Sequence, residues 1–422
     1  MPTDPALLAR LAEDAAERFL RYVRIDTQSD EESETYPSTE GQLVLLGLLR
    51  DELEQVGLTD AGIDEHGYVT ATLPATVEQD VPTIAFFAHV DTAREVSGAD
   101  VSPQRIRYDG GDIPLGDSGQ SIRPEESPEL ANHVGHELIT TDGTTLLGAD
   151  DKAGVAEIMA AISHLVSQPE IPHGTVKVAF NPDEEIGRGV VHFPVETFGA
   201  TAAYTVDGST AGEVQSETFS GASVRMRIHG RAIHPGWAKG ELVNAIKVAG
   251  EIIARLPGDS RSPETTEGRE GYVHPILLEG DSSEVELRFI ARDFENDRLD
   301  EHVAFLRGLA EEVAAAEPRC SIDVEDRISY RNPREVIERN PRIVASLEEA
   351  VRRVGLEPRQ TAIRGGTDGS VLTEMGLPTP NLFTGGHDAH SEREWICVED
   401  MGLAAATLVE LARVWAEEKR AY

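Results

Sequence analysis

Cysteine is nearly missing from this 422-residue chain: Cys320 and Cys397 are the whole complement. Two thiols so far apart give no disulfide framework and no metal-ligand spacing of their own. Both are expected as buried thiols in a reducing cytoplasm. Lysine is almost as scarce, with Lys152, Lys177, Lys239, Lys247 and Lys419 the only ones, and the net charge is −38. Nucleic acid is excluded as a partner on that ground, because phosphate binding needs clustered Lys and Arg. No run of about eighteen apolar residues exists, so no membrane span is expected. The first residues, MPTDPALLARLAEDAAERFLRY, lack a basic stretch followed by an apolar one, so no signal peptide is expected. Internal repeats and low-complexity tracts are also missing. The surface must be strongly acidic, through adaptation to salt or through the amino-acid usage of a genome.

With 40 % hydrophobic and 27 % charged residues, the chain has the composition of a globular protein. Its length is large for one core, which predicts two domains. The expected fold class is α/β, an open mixed sheet with helices on both faces. Amphipathic helices are predicted at 5–24, 42–56, 341–354 and 401–415, and strands at 68–73, 83–88, 176–180, 202–206 and 379–383. Residues 97–140 are rich in Gly, Pro, Asp and Ser and are read as an excursion with short hairpins. Near Gln215 the pattern changes. Strand 222–229, helix 241–256, strands 272–278 and 284–293, helix 297–315 and strand 320–327 follow the β-α-β-β-α-β order of a ferredoxin-like α+β domain. The expected division is a first domain at 1–214 and 333–422, interrupted by an inserted lid at 215–332.

Chemistry collects around LLGADDKAGVAEIMA at 146–160. Asp150 and Asp151 sit on a turn at the mouth of a helix whose apolar residues recur from Val155. Two adjacent carboxylates repel, and a cation among further ligands would remove that conflict. The run TIAFFA delivers His89 and Asp91 at its C-terminal end, where ligands bind in open α/β sheets. VKVAF leads to Glu184 and Glu185, which on extended chain would face opposite ways, one toward a metal and one toward water. AAYTV ends in Asp207. Taken singly, these are an N-cap pair, a hydrogen-bonded histidine and a solvated acidic turn. Together, His89, Asp91, Asp150, Glu184, Glu185 and Asp207 make a set of carboxylates and imidazole without thiolate, which suits Zn²⁺, Mn²⁺ or Co²⁺. His387 and His390 follow in TGGHDAHSEREW, where either is a candidate ligand and Glu394 is placed to orient an imidazole.

The stretches HVDT, LLGADDKAG, PDEEIGRG, VDG, HPGWAKG, IRGGTDG and NLFTGG, in this order over nearly the whole chain, resemble the peptidase T family. These are cytoplasmic tripeptide aminopeptidases related to glutamate carboxypeptidases, aminoacylases and succinyl-diaminopimelate desuccinylases. The resemblance implies two divalent metal ions, zinc first and Mn²⁺ or Co²⁺ as alternatives, bridged by Asp150. It implies His89, Asp150 and Asp207 on the first metal and Asp150, Glu185 and His390 on the second. Asp91 would orient His89, and Glu184 would be the general base. His234 would reach the substrate carbonyl region, and Arg292 and Arg364 the substrate carboxylate. A cis Asp150–Asp151 peptide is implied too. The expected partner is a small peptide, with a possible homodimer through the lid. A dipeptidase, carboxypeptidase or N-acyl deacylase of the same clan would present the same ligands, whereas a non-catalytic binding protein would be expected to lack one of them. A two-metal phosphoesterase is disfavoured by the Glu184–Glu185 pair and by the want of a phosphate-binding loop.

Overall fold

The computed structural model describes residues 3–417. The described residues divide into two compact units: 3–216, 335–361 and 367–417 belong to the first, and 217–334 with 362–366 to the second. Ala362–Gly366 was expected with the first unit. It groups with the second because the Phe219 N–H donates to the Ile363 carbonyl and Arg364 donates to the Gly268 and Glu270 carbonyls.

The first unit is built on an eight-stranded mixed sheet. Its strand order is Gly62–Ile63, Val69–Leu73, Val176–Asn181, Ile84–His89, Ala202–Gly208, Asn381–Phe383, Glu213–Thr218 and Arg359–Ile363. Ile84–His89 is central, parallel to both of its neighbours and buried at every residue. Its continuous apolar run follows from that position. Ile84, Phe86 and Ala88 pack into the core on one face, and Ala85 and Phe87 into the core on the other. On the first face lie the helices Pro5–Tyr22, Ala149–Ser167 and Val398–Glu417. Pro5–Tyr22 starts where Asp4 accepts the Ala6 N–H, with Pro5 in the first turn, and it buries Leu11, Ala15, Phe19 and Tyr22.

Residues 97–140 supply short strands, as expected, and two of them are more than local hairpins. Gln104–Arg107 pairs with Glu137–Thr140, which in turn pairs with Trp395–Cys397 from the far end of the chain. Trp395–Cys397 also pairs with Gly386–His387. The result is a four-stranded antiparallel sheet over its own small core of Tyr108, Leu115, Leu130, Leu138 and Trp395.

The second unit has the order β-α-β-β-α-β. Its antiparallel sheet runs Tyr272–Gly280, Glu284–Asp293, Ser220–His229, Ser321–Tyr330. The helices Ala245–Ala254 and Asn296–Ala316 bury Ala249, Ile252, Leu299 and Leu306 against Val224, Met226, Leu287 and Phe289. The first of these helices begins four residues later than 241, because Asn244 accepts the N–H groups of Ile246 and Lys247 and fixes the cap there. No helix among the described residues is long and apolar enough to cross a membrane.

Candidate metal centre

His89 closes the central strand, and its imidazole is surrounded by carboxylates. Nε2 lies 3.1 Å from Asp150 Oδ1 and 3.8 Å from Asp207 Oδ1, and Nδ1 lies 3.2 Å from Asp91 Oδ1. Asp91 has a second task. Its two oxygens accept the backbone N–H groups of Glu184 (2.9 Å) and Glu185 (3.1 Å). The two glutamates are therefore presented by a turn, not by the extended chain read from the sequence. The turn is closed by the Gly187 N–H on the Glu184 carbonyl at 2.7 Å and by positive φ at Asp183 and Gly187.

The helix Ala149–Ser167 begins irregularly. Asp150 and Asp151 are non-helical, the peptide between them is cis, and Gly148 before them has φ +83°. Glu394 holds this segment: one oxygen accepts the N–H groups of Leu147 and Gly148 at 2.7 Å and the other that of Asp150 at 3.0 Å. Glu394 thus positions backbone where an imidazole partner was expected. Asp151 is fully buried, accepting the N–H groups of His89 and Gly154. Asp207 is fixed through its own N–H, which donates to Asn381 Oδ1 at 3.0 Å.

The donor atoms fall into two groups that share Asp150: His89, Asp150 and Asp207, and Asp150, Glu185 and His390, each within 4.8 Å. His390 Nε2 stands 3.3 Å from Asp150 Oδ2 and 3.1 Å from Glu185 Oε1. His387 is elsewhere, stacked on Trp395 with ring centroids 4.3 Å apart; burial pushes its imidazole down to about 4. Separations of 3.1–3.3 Å suit donors around a common cation, since metal–ligand bonds of about 2.0–2.2 Å put neighbouring ligands roughly 3.3 Å apart.

Charge points the same way. Burial raises Glu185 to about 8 and Asp207 to about 6. Burial also pushes Glu184 and Asp151 well up, with neighbouring carboxylates adding to the effect. Asp150 is the exception: burial would raise it, but hydrogen bonds to His390 and His89 hold it well below the ordinary range. His390 is raised to about 11 by its bonds to Asp150 and Glu185. The protein's own groups leave an excess of negative charge here, and a pair of divalent cations fits both the donor set and that excess.

Two members escaped the sequence reading. Asp368, raised to about 7 by burial and nearby acids, accepts from Asn181 Nδ2 at 2.6 Å. Gly189 lies so close to it that a Cβ there would meet Asp368 Oδ1 at 2.2 Å. The only signal was its place inside IRGGTDG. Lys152 is buried, donates to the Ile25 carbonyl at 2.8 Å, and is lowered by burial to about 8.

His234, Arg292 and Arg364 belong to the second unit. His234 is exposed, accepts the Gly236 N–H and lies against Trp237. Arg292 donates to the Ala291 carbonyl and lies over the Tyr330 ring. Arg364 donates to the Gly268 and Glu270 carbonyls and to Thr266, over Phe219.

Residues 134–414 match the model of peptidase family M20/M25/M40. The chain is 49 % identical over 403 residues to the protein named Peptidase T of Bacillus velezensis, a match covering 95 % of this chain and 98 % of the relative. The crystal structure of aminopeptidase PepT from Bacillus cereus aligns with a TM-score of 0.73 at 26 % identity, over 96 % of this chain and 99 % of that one. A Bacillus subtilis protein described as a dinuclear metal-binding peptidase of the M20 family shares the fold, with a TM-score of 0.65 at 16 % identity over 98 % and 99 % of the two chains.

Proposed function

The chain belongs to peptidase family M20/M25/M40, and from that membership we propose that it is a metal-dependent aminopeptidase releasing the N-terminal residue from short peptides, chiefly tripeptides. The observation that carries the reading is the sharing of Asp150 between two donor groups, with Glu184 tied beside them through Asp91. The ligands would be His89, Asp150 and Asp207 for one cation and Asp150, Glu185 and His390 for the other, zinc being the first choice for this donor set. Bound there, two divalent ions supply Lewis acidity and lower the pKa of water.

The remaining steps belong to the chain. Glu184 removes the proton from the attacking water and delivers it to the leaving amine. Burial, reinforced by Asp368, Asp207 and Glu185 and opposed by His89, raises its carboxyl above the ordinary range. Asp91 holds the backbone of that base and the far side of the His89 ring. His234 is assigned to the substrate carbonyl region, and Arg292 and Arg364 to the substrate's terminal carboxylate. Acidic groups take the free ammonium. A site that holds both ends of its substrate favours short peptides. Free thiols at Cys320 and Cys397 agree with action in a reducing cytoplasm.

The test is mass spectrometry of products from a free tripeptide and its N-acetyl twin, each with added Zn²⁺ or Mn²⁺ and with chelator. Metal-dependent loss of the first residue from the free peptide alone is expected. Cleavage of the acetylated twin would move the chain to the deacylase or carboxypeptidase branch, and no cleavage of either would end the catalytic reading.

A further inference from the structure

A second set of metal-type donors stands in the first unit, sharing no residue with the two groups around Asp150. Within it, the His136 N–H donates to the His133 carbonyl at 2.9 Å, and Gly135 between them takes φ +92°. That tight turn faces both imidazoles one way. The turn leads into the strand Glu137–Thr140, whose Leu138 pairs directly with Cys397. Two histidines and a thiol about 260 residues apart in sequence are thereby brought together, which no spacing pattern announces.

Two of the distances are close to those of a coordination shell. His133 Nδ1 lies 3.4 Å from His136 Nδ1, and His136 Nδ1 lies 3.8 Å from Cys397 Sγ. The three ligand atoms all fall within 4.8 Å. A tetrahedral zinc with bonds of about 2.05 Å to nitrogen and 2.3 Å to sulfur has edges of roughly 3.4 Å and 3.6 Å. A carboxylate borders this set of three. Asp400 Oδ2 is 3.8 Å from His133 Nδ1, the residue is 4 % exposed, and this oxygen has no hydrogen-bond partner. Hydrogen bonding alone would join the two rings through one proton and leave that buried carboxylate oxygen unpaired beside them, a cost that positive charge within the set would offset. The neighbouring Glu399 accepts the Glu137 N–H at 3.0 Å and, while the thiol is protonated, the Cys397 S–H at 3.6 Å. His136 is only half-buried, which leaves an ion a way in.

We propose that His133, His136 and Cys397 form a third, structural metal site of the zinc type, with the Asp400 carboxylate beside it. Binding would replace the thiol proton: the S–H bond breaks, a sulfur–metal bond forms, the proton goes to solvent, and the imidazoles bind as neutral rings. The site clamps the strand Trp395–Cys397 to the turn at 133–136. That strand is one side of the hairpin whose loop carries His390 and Glu394. Its role is to hold those two residues in register for the centre around Asp150.

Cobalt makes the site visible separately from that centre, which contains no sulfur. The full-length protein is loaded with Co²⁺ under reducing conditions, desalted, and read for metal content and near-ultraviolet absorption. About three cobalt ions per chain and a thiolate-to-cobalt charge-transfer band are expected. The band should persist in Cys320→Ser. It should vanish in Cys397→Ser, with loss of one ion. Because Cys320 and Cys397 are the only thiols, wild type and Cys320→Ser together assign the band even if Cys397→Ser folds poorly. About two ions with no sulfur band in wild type, or a band that survives Cys397→Ser, would overturn the proposal. Neither result bears on whether tripeptides are cleaved.

Discussion

Glu184 is half-buried and Glu52 buried, and their neighbours push them in opposite directions. Glu184 is surrounded by acids and raised, as a proton acceptor should be. Glu184→Gln keeps the shape of the side chain and removes the base, so kcat should fall about 10²–10⁴-fold while metal content by mass spectrometry stays that of wild type. Near-normal turnover would remove Glu184 from the proposed role. Glu52 instead receives Arg18, Arg21 and the Tyr22 hydroxyl at 2.5–2.7 Å. Burial would raise it, but the bonds from Arg21 and Tyr22 and the two guanidinium charges hold it below its ordinary 4.5. A depressed carboxylate stabilises the fold above its unfolded value and loses that contribution as pH falls through the folded one. Glu52→Gln should therefore cost about 1–3 kcal/mol near pH 7, and the gap to wild type in urea titrations should close below about pH 4.5. A gap that widens in acid would contradict this account.

At the scale of elements, the decisive contact is the approach of the helix Ala149–Ser167 to the strand Ala202–Gly208. A Cβ on Gly154 would fall 1.8 Å from the Val206 carbonyl oxygen and 2.5 Å from Asp151 Oδ1. Gly154→Ala should cost about 1–3 kcal/mol by overpacking, read as a lower urea midpoint. It should also weaken metal retention, because the displaced carbonyl belongs to the residue before Asp207. An unchanged midpoint would mean the helix has room to retreat. The same region shows what the sequence could and could not tell. The run TIAFFA announced a strand buried on both faces, and the period from Val155 announced a helix. The turn at Glu184 and Glu185 was misread as extended, because the groups that bend it are the carboxylate oxygens of Asp91, far away along the chain. Asp368 and the backbone role of Glu394 were hidden for the same reason. Each is defined by a partner more than 180 residues away, and local pattern carries no sign of it.

For the whole molecule, the net charge of −38 is a standing repulsion that the folded state concentrates. Screening shortens its reach to about 3 Å at 1 M salt, so the thermal midpoint should climb as sodium chloride is added from low ionic strength. A flat or falling curve would show that local ion pairs, not the net field, govern stability. Fold class was legible at this scale because alternating strand and helix patterns survive averaging over many residues. The grouping of 362–366 with the second unit was not, since it rests on a few hydrogen bonds. The order in which the groups around Asp150 occur along the chain also has a consequence for biosynthesis. His89, Asp150, Glu185 and Asp207 all emerge from the ribosome before the second unit, whereas His390 and Glu394 come after it. On the proposed assignment the second cation has its full set of protein ligands only once His390 has been translated. A chain released early, or one whose last stretch has been clipped, would then be inert toward peptides, so no active fragment is set loose in the cell by incomplete synthesis.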